Sequence, residues 1–339
     1  MFKTLNAFRF FFIIGIFLFH YTALKGSDPF FNEGYCGVTF FYILSGFLLT
    51  NRYKTEILSN NIKFTLFFIN RIIKIYPLYF VTVLFFIIKS AIEHYPFWKM
   101  AIVHLLLLQS WFPNESVYLC WNYPAWFLSS LILCYILFFP TIKLIEKTKT
   151  KFIYIFLAIL FIYFLSMLIV PNDYDNYLYY IFPPFRFIDF LFGILLSYLF
   201  KFIQKNNVLK NNFINNTLLV ILSTTILAVT ILLAPYVPIT LKKESLYWIP
   251  MSLLILTLAL TEGNSALSKI TNFNAFQVLG SSTMCFFLIH GILLDIIRKI
   301  TGQLTPNLLL PILLAVTIIS VIVYQVLNKT TDVISKVRK

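Results

Sequence analysis

Charge is what this chain has least of. Only 12% of its 339 residues are Asp, Glu, Lys or Arg, about half the share usual in soluble globular domains. No polar stretch is long enough to form a separate soluble domain. Together with 60% hydrophobic residues and a mean hydropathy of +0.84, this excludes both a water-soluble fold and a disordered chain. Cysteine is scarce too. Cys36, Cys120, Cys134 and Cys285 show no CxxC or Cys/His ligand spacing, which argues against a metal site. Cys134 and Cys285 sit in apolar runs and read as packing residues, whereas Cys36 and Cys120 fall near outward loops, where a disulfide between them is allowed. With 10 glycines and no pair of Gly/Pro-interrupted segments at matching positions of two halves, a transporter built on inverted repeats is disfavoured.

What the chain does have is apolar runs of membrane-spanning length along its whole course. Ten are read, at 5–24, 35–52, 72–91, 124–142, 152–170, 181–200, 214–234, 246–261, 275–297 and 306–327. The class is an all-α polytopic membrane helix bundle, one domain over 1–339, with both termini cytoplasmic. The net charge of +14 would suggest nucleic acid in a soluble protein. Here the bases sit in short loops and at the tail, which is how membrane orientation is set, and no nucleic-acid partner is expected. Assigned to the nearer side, nineteen of the 27 Lys and Arg fall inside. They include Lys143, Lys147, Lys149, Lys151, Lys201, Lys205, Lys210, Arg338 and Lys339. Counting the apolar piece 101–112 as a further span would move the Lys143–Lys151 cluster outside, so this piece reads as re-entrant or surface-lying on the outer face. Arg9 lies within the first apolar segment and no small-residue cleavage site follows before Lys25. The segment is therefore expected to remain as a transmembrane helix rather than leave as a signal peptide.

Ionisable residues inside a spanning helix are expensive and default to a functional reading. Arg9 and His20 are eleven positions apart, close to three helical turns, so they share one face roughly 16 Å apart. Either residue alone reads equally as an interfacial anchor. The pair on one face fits an elongated ligand lying along the helix. Four further groups stand out. Ser45 and Gly46 close the second helix and are small enough to admit a neighbouring backbone or a narrow ligand. Arg71 and Lys74, three apart where the cytoplasmic loop enters the third helix, are either a topology anchor or a phosphate clamp. Arg186 and Asp189 are placed to pair at (i, i+3), as a structural ion pair or as part of an acceptor site. His290 lies about as far from the cytoplasmic end of its helix as His20 does, so two histidines at one depth could line the same cavity. His94 and His104 carry no comparable context.

In this order the chain resembles the acyltransferase-3 family, multi-helix membrane enzymes that acylate bacterial envelope sugars. The resemblance runs from Leu5 to about His290. The Arg9–x10–His20 spacing is its most specific mark. The segment Ser45-Gly46-Phe47-Leu48 resembles the family's second-helix signature, and Arg71, Lys74, Tyr76, Pro77 and Tyr79 resemble its basic motif. Trp126 to Ser129, Arg186–Asp189–Gly193 and Ser282 to His290 resemble later landmarks. Two positions depart from the pattern. Lys74 stands where a second arginine is more usual, keeping charge but losing the bidentate fork. Ser129-Ser130-Leu131 stands where many relatives have an acidic residue after the tryptophan. The esterase-like C-terminal domain of some larger relatives is not expected.

The resemblance implies an O-acyltransferase, acetyl by default, of the bacterial inner membrane. The donor is acyl-CoA from the cytoplasm and the acceptor a hydroxyl of an envelope polysaccharide or lipid-linked sugar; no metal is implied. Arg71 and Lys74, with Ser45, would hold the donor. His20 would act either as general base or as acyl carrier, Arg9 would position the donor or stabilise charge on the thioester oxygen, and Arg186, Asp189, His290 and Trp126 would shape or support the acceptor site. The competing class is a transporter or flippase for an envelope lipid or glycan, which also places ionisable groups along a polar path.

Overall fold

The computed structural model describes residues 2–25, 29–95, 98–206 and 212–337. Lys210, Arg338 and Lys339 of the inside cluster lie outside that set. Among the described residues the chain is all-α, helices joined by short 3-10 turns and no strand. Six helical runs are long and apolar enough to cross a membrane: Lys3–Lys25, Phe64–Ile92, Tyr123–Ile169, Pro183–Lys205, Phe213–Tyr236 and Pro306–Lys329. Asn274–Ser281 and Thr283–Thr301, bent by 60°, make a seventh if taken as one span. The chain is a multi-pass membrane protein.

The difference from ten has physical causes. The run Tyr123–Ile169 has 47 residues, about 70 Å of helix and more than twice a bilayer core. A left-handed residue, Lys149 (φ 51°), breaks it between Trp126–Thr148 and Phe152–Ile169. The helix Gly37–Leu58 carries Arg52, Lys54 and Glu56 in its last turns, and Trp248–Leu260 has only 13 residues. Neither has the length and low charge of a clear span. The segment 101–112 forms a short helix, Trp98–Leu105, and a turn, Gln109–Trp111, with left-handed Leu107 between them.

Two compact units are formed, Met1–Val38 with Lys210–Thr225 and Leu254–Lys339, and Thr39–Leu209 with Ile226–Leu253. In the first, the Lys3–Lys25 helix lies so close to Asn274–Ser281 that a side chain at Gly280 would overlap the carbonyl of Asn6. Backbone contact of this kind is how membrane helices pack without a hydrophobic driving force. The start of the first helix is tied down from the same side: the Thr4 amide, one of the donors a helix start leaves unpaired, donates to Glu262 (3.0 Å), and the Gln277 side-chain amide donates to the Lys3 carbonyl (2.9 Å). At the 60° bend, Ser282 and Thr283 hydroxyls take up the carbonyls of Leu279 and Gly280 (both 2.9 Å), which re-satisfies backbone that the break frees.

In the second unit, Gly46 and Gly193 play the corresponding part. A Cβ at Gly46 would overlap the Phe190 carbonyl, and one at Gly193 the Ile43 carbonyl. Phe64–Ile92 starts a full eight residues before the expected 72. Phe64 and Phe67 pack on Phe138 and Phe139 of the Trp126–Thr148 helix, which extends the helix toward its N-terminus. Tyr76 and Tyr79 of the same helix donate to the carbonyls of Leu105 and His104 (2.9 and 2.7 Å), holding the short segment against it. Leu168, Ile169, Leu232 and Ile322 are exposed, a surface suited to lipid and not to water.

Candidate functional site

His20 and His290 meet inside the first unit. Nδ1 of His20 is 2.9 Å from Nε2 of His290, and the rings lie nearly parallel with centroids 5.1 Å apart. Their residues are 270 positions apart in the chain, so the pairing is a product of the Lys3–Lys25 helix packing on the Asn274–Thr301 bend. His290 is completely buried, walled by Phe17, Phe286 and Phe287, and its Nδ1 is 3.1 Å from the Phe286 carbonyl. His20 is only half-buried. Of the two residues, His20 is the less completely buried.

Arg9 stands on the same unbroken helix as His20. Its guanidinium donates to the side-chain oxygen of Asn6 (3.4 Å). The Asn6 amide in turn donates to the Gln277 carbonyl, the Gln277 side chain and the Ser281 hydroxyl, at 3.0 to 3.2 Å. Asn6 thus ties Arg9 to the element that precedes His290. Sequence reasoning missed Asn6 and Gln277; the only signal was two amides in otherwise apolar runs.

The other expected residues belong to the second unit. Arg71 sits two turns inside its helix rather than at the loop. Its Nη2 donates to the Tyr53 hydroxyl (2.7 Å), its plane lies over the Tyr53 ring, and its buried Nε has no hydrogen-bond partner among the described residues. Lys74 is exposed. The Ser45 hydroxyl donates to the Phe41 carbonyl (2.7 Å) one turn back, a helix-internal role. Trp126 is buried against Tyr180, and its carbonyl accepts from Ser110 (2.7 Å). Ser129 accepts from the Ser110 amide (3.3 Å) and Ser130 donates to the Ile181 carbonyl (2.9 Å); both serve as backbone ties.

Arg186 and Asp189 form a fully buried pair at 2.7 Å. Every other arm of the guanidinium is engaged, by the carbonyls of Tyr180, Tyr179 and Lys243 and the Thr39 hydroxyl. Asp189 also accepts from the indole of Trp248. A second buried carboxyl, Glu244, lies 3.8 Å from Arg186. Nothing local in the sequence marks it. Burial pushes its carboxyl well above the usual carboxylate range, and the charge of Asp189 pushes the same way against the pull of Arg186. One guanidinium therefore faces two buried carboxyls. All four cysteines are free thiols, so Cys36 and Cys120 are not bridged. No group of three or more metal-ligating side chains gathers among the described residues.

A half-buried histidine backed by a buried one, on a helix that also carries an arginine, defines a polytopic membrane protein with an ionisable centre. Residues 2–326 match the model of the Acyltransferase domain family, acyltransferase-3, and the chain belongs to that family. It is similar to the acyltransferase MdmB of Streptomyces mycarofaciens, 27% identical over 209 residues, which are 56% of this chain and 50% of that protein. The chain thus spans about half the length of this curated relative. No solved structure matches it.

Proposed function

We propose that the protein is a membrane O-acyltransferase of the bacterial inner membrane. It moves an acyl group, acetyl by default, from cytoplasmic acyl-CoA to a hydroxyl of an envelope polysaccharide or lipid-linked sugar. The observation that carries this reading is the His20–His290 pair, with His20 the less buried member, on a helix shared with Arg9. In it His20 is the general base on the acceptor hydroxyl, the usual work of an imidazole near neutral pH. Arg9 stabilises the negative charge that grows on the thioester oxygen, an effect that gains strength away from bulk water. Arg71 and Lys74 hold the phosphates of CoA. Support for that role comes from the buried Nε–H of Arg71, a donor with no partner among the described residues, on a guanidinium already fixed by Tyr53. Ser45, Trp126, Arg186 and Asp189 hold the scaffold of the second unit.

Purified protein in lipid, supplied with acetyl-CoA and crude envelope glycan, tests the reading. Thiol release is expected to require the glycan and to fall by about 10²-fold or more in His20→Ala. Equal release by wild type and variant would make His20 structural. Glycan-lipid binding with no release in either would move a transporter to the front. Single turnover without acceptor separates the two roles of His20: an acyl group trapped on its ring would replace the general-base assignment with a nucleophilic one.

A further inference from the structure

His290 has a chemical consequence for His20 that rests on the general-base reading. A backbone carbonyl can only accept a hydrogen bond, so the 3.1 Å contact from His290 Nδ1 to the Phe286 oxygen places a proton on that Nδ1. The neutral ring then has its lone pair on Nε2, and that nitrogen faces His20 Nδ1 at 2.9 Å. His20 must therefore carry its own proton on Nδ1 and donate it. Two N–H groups point one way along a chain from His20 through His290 to the Phe286 carbonyl.

We propose that His290 is the positioning residue that fixes the tautomer of His20, leaving Nε2 of His20 as the nitrogen that takes the acceptor's proton. The role is the one a carboxylate fills beside a catalytic imidazole elsewhere, orientation and tautomer choice, met here by a second imidazole. Helix geometry keeps the acceptor in place: Phe286 and His290 are one turn apart, so the carbonyl is presented by the helix that carries the ring. Ring contacts from Phe17 at 6.4 Å and Phe286 at 5.9 Å restrict rotation of His290.

The step balances. The acceptor O–H proton passes to Nε2 of His20 while the oxygen's electron pair forms a bond to the thioester carbonyl carbon. The carbon–sulfur bond then breaks, sulfur leaves with the electron pair, and it takes the proton back from Nε2. The products are the ester and free CoA thiol, and His20 returns to the Nδ1–H form. While Nε2 is protonated, the Nδ1–H of the cation still has the His290 lone pair to donate to.

The test is nitrogen-15 NMR on histidine-labelled protein in lipid, since the chain has only 4 histidines and substitution of each assigns the signals. Wild type is expected to show the His20 proton on Nδ1 and a coupling across the hydrogen bond to His290 Nε2. His290→Leu removes the acceptor and should release His20 into a mixture of tautomers. His290→Gln, whose side-chain oxygen can accept, should keep the Nδ1–H form. In turnover, His290→Leu is expected to lower kcat by about 10²-fold with KM for the acyl donor nearly unchanged, and His290→Gln to recover most of the loss. A His20 proton on Nε2 in wild type, or equal loss of kcat in both variants with an unaltered His20 signal, would overturn the proposal. The spectrum is taken without substrate, so its failure is separate from a failure of acyl transfer.

Discussion

At the scale of single residues, the ionisable groups divide by what burial does to them. Arg186 is fully buried with every arm engaged, so Arg186→Met would strand two carboxyls, at a cost of about 3–5 kcal/mol of stability. Glu244 behaves differently because burial raises its carboxyl, beside Arg186, Asp189 and the Tyr163 hydroxyl. A carboxyl raised on folding contributes stability that is complete below the unfolded value of about 4.3 and is lost as pH rises toward the folded value. Thermal unfolding in detergent should therefore show Glu244→Gln matching wild type in acid and melting higher at alkaline pH. A Gln variant that melts well below wild type at neutral pH and matches it in acid would mean that Glu244 is ionised and needed as a charge. Under the proposed donor role, Lys74→Arg supplies a bidentate fork and is expected to lower KM for acyl-CoA a few-fold with kcat unchanged; an unaltered KM would take Lys74 out of the proposed donor site.

Legibility at this scale depended on register. Arg9, His20, Arg186 and Asp189 were readable because a 3.6-residue repeat puts each pair on one face, and an ionisable residue in an apolar run stands out. The depth match of His20 and His290 was readable as well, but the contact itself was not. Glu244 gave no signal: its burial comes from tertiary packing near Trp248 and Tyr163, and a loop glutamate after two lysines looks solvated.

At the scale of elements, the fold rests on close backbone approaches. Gly280 against Asn6, and Gly46 with Gly193 in the other unit, sit where any Cβ would strike a carbonyl. Gly46→Val is expected to destabilise by at least about 1–3 kcal/mol, the range for overpacking a filled contact, read as a lower melting temperature. Unchanged melting would mean that these helices can separate without loss. Gly280→Val should also disturb the Asn6–Gln277–Ser281 set that braces Arg9, so activity is expected to fall further than stability does. Helix existence was legible almost everywhere, since long apolar runs leave little choice. Boundaries were less so. Residues 64–70 fall before the expected start at 72, yet Phe67 stacks on Phe138 and draws the segment into the helix. The 60° bend at Ser282 was not legible either, because three consecutive hydroxyls, Ser281 to Thr283, fit an unbroken helix as well as a broken one.

At the scale of the whole molecule, all-α membrane architecture followed from composition alone, while the number of crossings did not. Length and apolarity give six or seven spans; ten requires Tyr123–Ile169 to cross twice and the shorter Gly37–Leu58 and Trp248–Leu260 helices to cross as well. Impermeant labelling of single cysteines in intact cells checks this. Positions in 143–151 and before Leu5 should be shielded, and positions near Asp173 labelled. Labelling on both sides of Tyr123–Ile169 in the opposite sense would reverse the topology.

The central claim is that the His20 centre passes an acyl group from CoA to a sugar hydroxyl. Its most direct test is transfer of radiolabelled acetyl from acetyl-CoA to envelope glycan by the protein in lipid vesicles, wild type beside His20→Ala. An alkali-labile label on the glycan, present with wild type and absent with the variant, is the predicted result. Equal labelling by both would contradict the account.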